Sequence, residues 1–469
     1  MKRLVLLATI LAFVLGMASM ASAATIKASG QWALEFLFSE NFDMTKDDNG
    51  PDGDGDFNVY QRARTQFDFI ANENLKGVLG TEIGTTRWGS GNAGGTNEGF
   101  RFHDHSTAIR VRMAYLDFMV PDTKIAVRGG LQGIVLPNSG AFVGSNMILD
   151  DEMPALVVST PIIDEVSVLA GYGRLYDQDD DVSGHTNGSF DTGFLALPVT
   201  LDGFAFAPYF VYAYVGHDAY TAMNVGDDAA NDILAGLLTV NPDLTAGRNA
   251  YWGGTSFTMT YFDPIKVMAD VAYGNVSGGG DASDRSGWMM DLAVDYTGLD
   301  FMTPEVFFVY TSGEDDDADN GSERMPALKT RNWAAGSFWF GGDTLLSGSN
   351  GYLNTEMGFW ALGLSLKDIS FIEKLSHTIT GMYVQGTNDK ATAGWTIGAT
   401  GLDFVSYGHS LTEEDHIIEF DLNNSYKLYD ELTLSLDLGY IVNGYDKDTW
   451  AGIEREDAFK LSTGLAYSF

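Results

Sequence analysis

The sequence predicts an all-β fold: a transmembrane antiparallel β-barrel of about 18 strands, with about 16 as the neighbouring count. Three observations predict it. Long segments alternate apolar and polar residues with a period of two, which places one face in each of two different environments. Eight short turn signals alternate with nine long stretches rich in Asp, Asn, Gly and Ser. After residue 23, no uninterrupted apolar run reaches the ~20 residues that a spanning helix needs.

The N-terminus reads as a secretory signal peptide. Met1-Lys2-Arg3 is basic, residues 4–15 are apolar, and Ala21-Ser22-Ala23 is a small-x-small site, so cleavage is expected after Ala23. Residues 24–469 then form a single barrel domain. Loss of Lys2 and Arg3 from a total of 27 Lys+Arg leaves 25 basic against 64 acidic residues. The chain has no Cys, which excludes a disulfide framework and any thiolate site. No Pro- or Ser-rich linker divides it, although a soluble all-β chain this long should show several cores.

The last segments show the pattern most clearly. Phe459, Leu461, Thr463, Leu465, Tyr467 and Phe469 alternate with Lys460, Ser462, Gly464, Ala466 and Ser468. Leu432, Leu434, Leu436, Leu438 and Tyr440 alternate with Thr433, Ser435, Asp437 and Gly439. Ile418, Phe420 and Leu422 alternate with Glu419, Asp421 and Asn423. Such runs exceed the ~5–6 residues of ordinary strands and suit a tilted membrane strand.

The same unit recurs along the chain. Short turns are expected at residues 72–74, 121–123, 161–165, 200–202, 263–264, 298–300, 367–374 and 429–431. Eight turns and nine loops join 18 strands and leave both ends on one side, with short turns facing the periplasm. Tyr261, Phe262, Phe301 and Phe371 fall where strands meet turns, as an interfacial aromatic girdle requires.

Parity assigns the lumen. Arg62 and Arg64 share a face with Tyr60, Gln66 and Asp68, opposite Ala63, Thr65, Phe67 and Phe69. Ile109, Val111, Met113 and Tyr115 are expected to face lipid, which turns Arg110 and Arg112 inward; the period blurs at Leu116-Asp117, where a bulge is expected. Ile125, Val127 and Leu131 point Lys124 and Arg128 inward. A charge on the lipid face would cost ~2–4 kcal/mol at the midplane, so five Arg on neighbouring strands mark a basic stripe on one lumen wall.

With the signal peptide, the opening strand from Ala24, the hairpins and the terminal Phe469 in view, the chain resembles trimeric bacterial porins. It is most similar to the homotrimeric outer-membrane porins of sulfate-reducing bacteria. The resemblance implies a homotrimer in the bacterial outer membrane, in contact with lipopolysaccharide. It implies that Phe469 is the signal read by the outer-membrane assembly machinery. It also implies a third loop that folds into the barrel and narrows it. Here that loop is residues 137–152, with Asp150, Asp151 and Glu152 facing the Arg stripe. A crosswise field of that kind favours small hydrophilic solutes. The short motif often found at the tip of such loops is absent.

The other loops are acidic. Asp52, Asp54 and Asp56 resemble the start of a calcium loop, without its flanking helices or terminal Glu. Asp179-Asp180-Asp181 and residues 314–317 are further acidic runs, and divalent ions could bridge such loops. Their simpler reading is a hydrated, self-repelling surface. His103-Asp104-His105 lacks a third ligand in view. Trp333, Phe338, Trp339 and Phe340 are expected to pack at the rim. No G-x-S-x-G elbow or phosphate-binding glycine loop is present, so no enzyme is expected. Two function classes stand: an open pore for passive diffusion, and a substrate-specific channel or loop-borne adhesin. No aromatic ladder of the kind a sugar channel needs runs along the lumen.

Overall fold

The alternating segments pair edge to edge into one closed sheet. The computed structural model describes residues 24–41, 44–46, 56–89, 100, 102, 107–141, 146–177, 187–222, 236–328, 345–346, 357–398 and 402–469. The strands are β1 (Thr25–Glu40), β2 (Asp56–Asn72), β3 (Leu75–Arg87), β4 (Ile109–Met119), β5 (Ala126–Val135), β6 (Asp150–Ile163), β7 (Val166–Asp177), β8 (Ser189–Ala196), β9 (Val199–Leu201) and β10 (Phe204–Val215). They continue with β11 (Arg248–Met259), β12 (Ile265–Ser277), β13 (Arg285–Tyr296), β14 (Thr303–Thr311), β15 (Phe359–Ile372), β16 (Leu375–Gly386), β17 (His416–Lys427), β18 (Leu432–Gly444) and β19 (Ala458–Ser468).

Each strand pairs antiparallel with its neighbours, and β1 closes the wall on β19. β8 and β9 are two pieces of one strand, since both pair with β7 and both with β10. Pro198 lies between them, and its missing amide interrupts the ladder. The wall therefore has eighteen strands, as the turn count predicts. Closure leaves no unpaired sheet edge, which is what allows a sheet to cross lipid at all.

Each of the eight expected turns contains or overlaps a strand connection. Between β2 and β3, the Asn74 amide donates to Asn72 Oδ1 at 2.8 Å, so the Asn side chain closes the turn that its position forecast. Between β9 and β10, Gly203 takes φ 73° beside Tyr261, where a Cβ would be strained.

The outer face is apolar. Trp288 is 55% exposed, Val306 52%, Leu362 50% and Leu364 49%. In water, an apolar surface of this extent would drive aggregation; against acyl chains it is matched. The expected girdle is present at the turn end, where Phe301 stacks on Phe371 with centroids 5.3 Å apart and Tyr261 stacks on Phe204 at 5.4 Å.

The inner face departs from a plain polar lining. On the long-loop side, described residues of four loops bury apolar side chains against the barrel wall. Ile148 and Leu149 follow β5, Leu237 and Leu238 follow β10, Met325 and Leu328 follow β14, and Ile397 and Val405 follow β16. They join one core with the inward Val211, Ala250, Trp252, Met268 and Val309. Each such Leu or Ile contributes ~1.5–3 kcal/mol when fully buried. The loops also bond to one another: the Leu328 amide donates to Ile148 O at 2.9 Å, Ala327 to Gly236 O at 3.0 Å and Gly398 to Val240 O at 2.7 Å.

Candidate functional site: the charged lumen

Arg62 and Arg64 of β2 stand opposite Ala33 and Gln31 of β1, on the inward face. Arg110 of β4 is in register with the buried Glu82 of β3. That carboxylate organises the wall: Arg64 Nε donates to Glu82 Oε2 at 2.5 Å, and Arg112 Nη1 lies 3.4 Å from the same oxygen. Arg128 donates from Nη2 to Asp117 Oδ2 at 2.7 Å and lies over the Tyr115 ring, 4.8 Å from its centroid. Side-chain exposures of 35% for Arg64 and 42% for Arg128 keep both guanidinium groups open to the lumen while partly paired. Beside Arg128, a recess of about 230 Å³ is lined by Asp117, Gln132, Ser159 and Phe194, among others.

Three expectations need correction. The bulge in β4 falls earlier than Leu116: the β3–β4 register shifts between Gly80 and Thr81, where Arg112 is the extra residue. Beyond it Met113 and Tyr115 turn away from lipid, while Leu116, at 58% exposed, takes the outer face. Second, Asp150, Asp151 and Glu152, read from the sequence as the end of the third loop, belong to a strand. They open β6, paired with Val135, Ile134 and Gly133 of β5. Glu152 still meets the basic wall, because it accepts from Arg112 Nη2, and Asp150 is buried. Third, Lys124 precedes β5 and is exposed in the turn.

The acidic counterpart comes from the wall itself. Asp270 of β12, Asp291 and Asp295 of β13 and Glu305 of β14 alternate with the exposed Val271, Met290, Leu292 and Val306, so they face inward. With β8 and β9 counted as one strand, β13 is nine strands from β3, and β14 is nine from β4. Nine is half of eighteen, so these carboxylates stand across the barrel from Glu82 and its Arg partners. Lys367 Nζ joins two of them, 2.9 Å from Asp295 Oδ1 and 2.7 Å from Glu305 Oε2. Asp270 receives the Ser139 amide at 3.0 Å, which ties the loop after β5 to this wall. The loop after β14 also crosses the lumen: the Leu346 amide donates to Glu35 Oε2 of β1 at 2.9 Å.

The signal for the acidic wall was present in the sequence as parity in three strands: Asp270, Asp291, Asp295 and Glu305 sit between apolar residues. The inward loops had a weaker signal, apolar runs such as residues 233–238 within otherwise polar connections.

Other candidates fall outside the described residues: residues 1–23, Asp52 and Asp54, the Asp56 side chain, His103, Asp104 and His105, Asp179 to Asp181, and Trp333, Phe338, Trp339 and Phe340. Phe469 is described. It exchanges backbone bonds with Gly30 at 3.0 and 3.1 Å and packs on Tyr467 and Trp32, at the seam where the barrel closes.

A closed eighteen-stranded wall with an apolar outside and a charged inside defines an integral-membrane β-barrel. No protein-family model and no curated protein sequence matches the chain. Among solved structures its fold is similar to Acinetobacter baumannii OccAB4, at 11% identity and TM-score 0.52, covering 95% of this chain and 98% of that one. It is similar also to Pseudomonas aeruginosa OccK8 (OprE), at 10% identity and TM-score 0.50, covering 95% and 98%. A double variant of OccD1 (OprD) matches at 13% and 0.50, covering 96% and 98%.

Proposed function

We propose that the barrel is a water-filled porin through which small hydrophilic solutes and ions diffuse passively. The observation that carries this reading is the pairing of an Arg wall on β2–β5 with a carboxylate wall half a circumference away on β12–β14. Charges facing each other across a lumen orient water and small polar solutes, and disfavour apolar ones. No step needs a cofactor. The inward-folded loops favour a second reading, a channel selective for one solute class, because they narrow the long-loop half. The resemblance to trimeric porins supports a homotrimer, and the place of Phe469 at the closing seam supports its part in assembly.

Single-channel recording in planar bilayers tests this. Conductance steps in groups of three that scale with bulk salt conductivity are expected. The double variant Arg62→Ala/Arg64→Ala should shift the reversal potential in a salt gradient toward cations. A protein that gives no steps at any voltage would overturn the pore, and an unmoved reversal potential would overturn the role of the stripe.

A further inference from the structure

The loop leaving β14 carries carboxylates that the lumen does not use. Glu314, Asp315 and Glu323 each place a carboxylate oxygen within 4.8 Å of the other two. Glu314 is 2% exposed; Ser322 Oγ donates to its Oε2, while Oε1 is sealed from solvent without a donor. Glu323 Oε2 is likewise buried without a donor. An ionised oxygen in that state is costly, and a like charge beside it adds to the cost. Arg285 and Arg324 act on Glu314 through space, yet they direct N–H groups at backbone carbonyls of Arg324, Leu238, Met325, Phe404 and Met357.

The surrounding backbone holds the three groups in place. Asp315 accepts from the Asp317 amide and from Asn320 Nδ2, both at 2.8 Å. The Glu314 amide donates to Asn388 Oδ1 at 3.0 Å, and Ser312 Oγ donates to Glu323 O at 2.5 Å. Burial pushes the Glu314 carboxyl up to about 7, and burial with the neighbouring Asp315 pushes Glu323 up as well. Burial is the leading cause of both shifts.

We propose that Glu314, Asp315 and Glu323 form a calcium site at the long-loop rim, beyond the permeation path and independent of it. Calcium takes oxygen ligands at ~2.3–2.6 Å, so opposite ligands lie ~4.6–5.2 Å apart, a span that holds this cluster. Carboxylates that bind through one or both oxygens, with water completing the sphere, meet its flexible geometry. The ion would give Glu314 Oε1 and Glu323 Oε2 the direct partner they lack. It would also fasten the base of the loop that runs on to Arg324 and Met325 against the wall.

The test is calorimetric titration of calcium chloride into the purified, chelator-treated full-length barrel, compared with Glu323→Gln, Glu314→Gln and the control Glu414→Gln. Wild type and control should share a saturable component that Glu323→Gln weakens by about tenfold or more. Hydrogen exchange across residues 312–328 should slow on adding calcium to wild type and not to Glu323→Gln. Should Glu314→Gln misfold, Glu323→Gln carries the test alone. A wild type that takes up no calcium at millimolar concentration would overturn the proposal. So would a Glu323→Gln variant that binds as wild type does.

Discussion

Replacing Arg285 with Leu should release two loops from the barrel while leaving its wall intact. Arg285 is 2% exposed, and its guanidinium donates to Arg324 O at 2.9 Å, Leu238 O at 2.9 Å and Met325 O at 3.1 Å. The first and third lie in the loop after β14, the second in the loop after β10. Hydrogen bonds from a charged donor contribute ~1.5–3 kcal/mol each, so the gross loss over three is ~4.5–9 kcal/mol. Part of it is recovered when the freed carbonyls meet water as the loops lift, which leaves ~4 kcal/mol. At ~1.4 kcal/mol per factor of ten, amide protection over residues 236–238 and 324–328 should fall about a thousandfold. The β13 ladder keeps its own bonds to β12 and β14, so protection within the strands should hold. Hydrogen exchange with mass spectrometry reads both regions. Unchanged loop protection in Arg285→Leu would refute the argument that this side chain fastens the inward loops.

Lys367→Met removes the ammonium shared by Asp295 and Glu305, so the reversal potential should move toward cations; no movement would mean that these groups lie off the ion path. Gly363→Val should lower the denaturation midpoint by the equivalent of ~1–3 kcal/mol, because a Cβ there would collide with the Phe307 ring that covers it. An unchanged midpoint would show that the ring moves aside at little cost. Glu314 should make the docking of its loop pH-dependent when no divalent cation is present. Its carboxyl sits at about 7 against an ordinary 4.5, so the docked state binds the proton more tightly. Docking is then strongest below 4.5 and weakens as pH rises through about 7, by up to ~3 kcal/mol. Exchange over residues 312–328 that speeds up with falling pH, after correction for intrinsic rates, would contradict that sign.

Strand number and turn positions were readable because lipid imposes period two over long runs, and a turn such as Asn72-Glu73-Asn74 needs its own residue types. The inward direction of Arg62, Arg64, Arg110 and Arg128 follows from the same rule. The errors arose where a single residue breaks the period. Arg112 is an inserted residue in β4, and Met113 and Tyr115 are apolar enough to pass for lipid-facing positions on either side of it. The Asp150-Asp151-Glu152 run has a loop composition, yet backbone pairing with β5 makes it strand. Loop direction was only weakly readable. Whether Leu237-Leu238 or Met325 folds inward depends on partners such as Trp252, whose Nε1 donates to Pro326 O at 2.8 Å across 74 residues of sequence.

One face of each strand meets water inside the barrel and the other meets lipid. Since the chain has no Cys, single thiols can be placed at will. Arg110→Cys and Val111→Cys are neighbours on β4 with opposite assigned faces. A charged, water-soluble thiol reagent added during bilayer recording should change the current through Arg110→Cys and leave Val111→Cys unaffected. A response from Val111→Cys with none from Arg110→Cys, or equal responses from both, would contradict the assignment of the lumen.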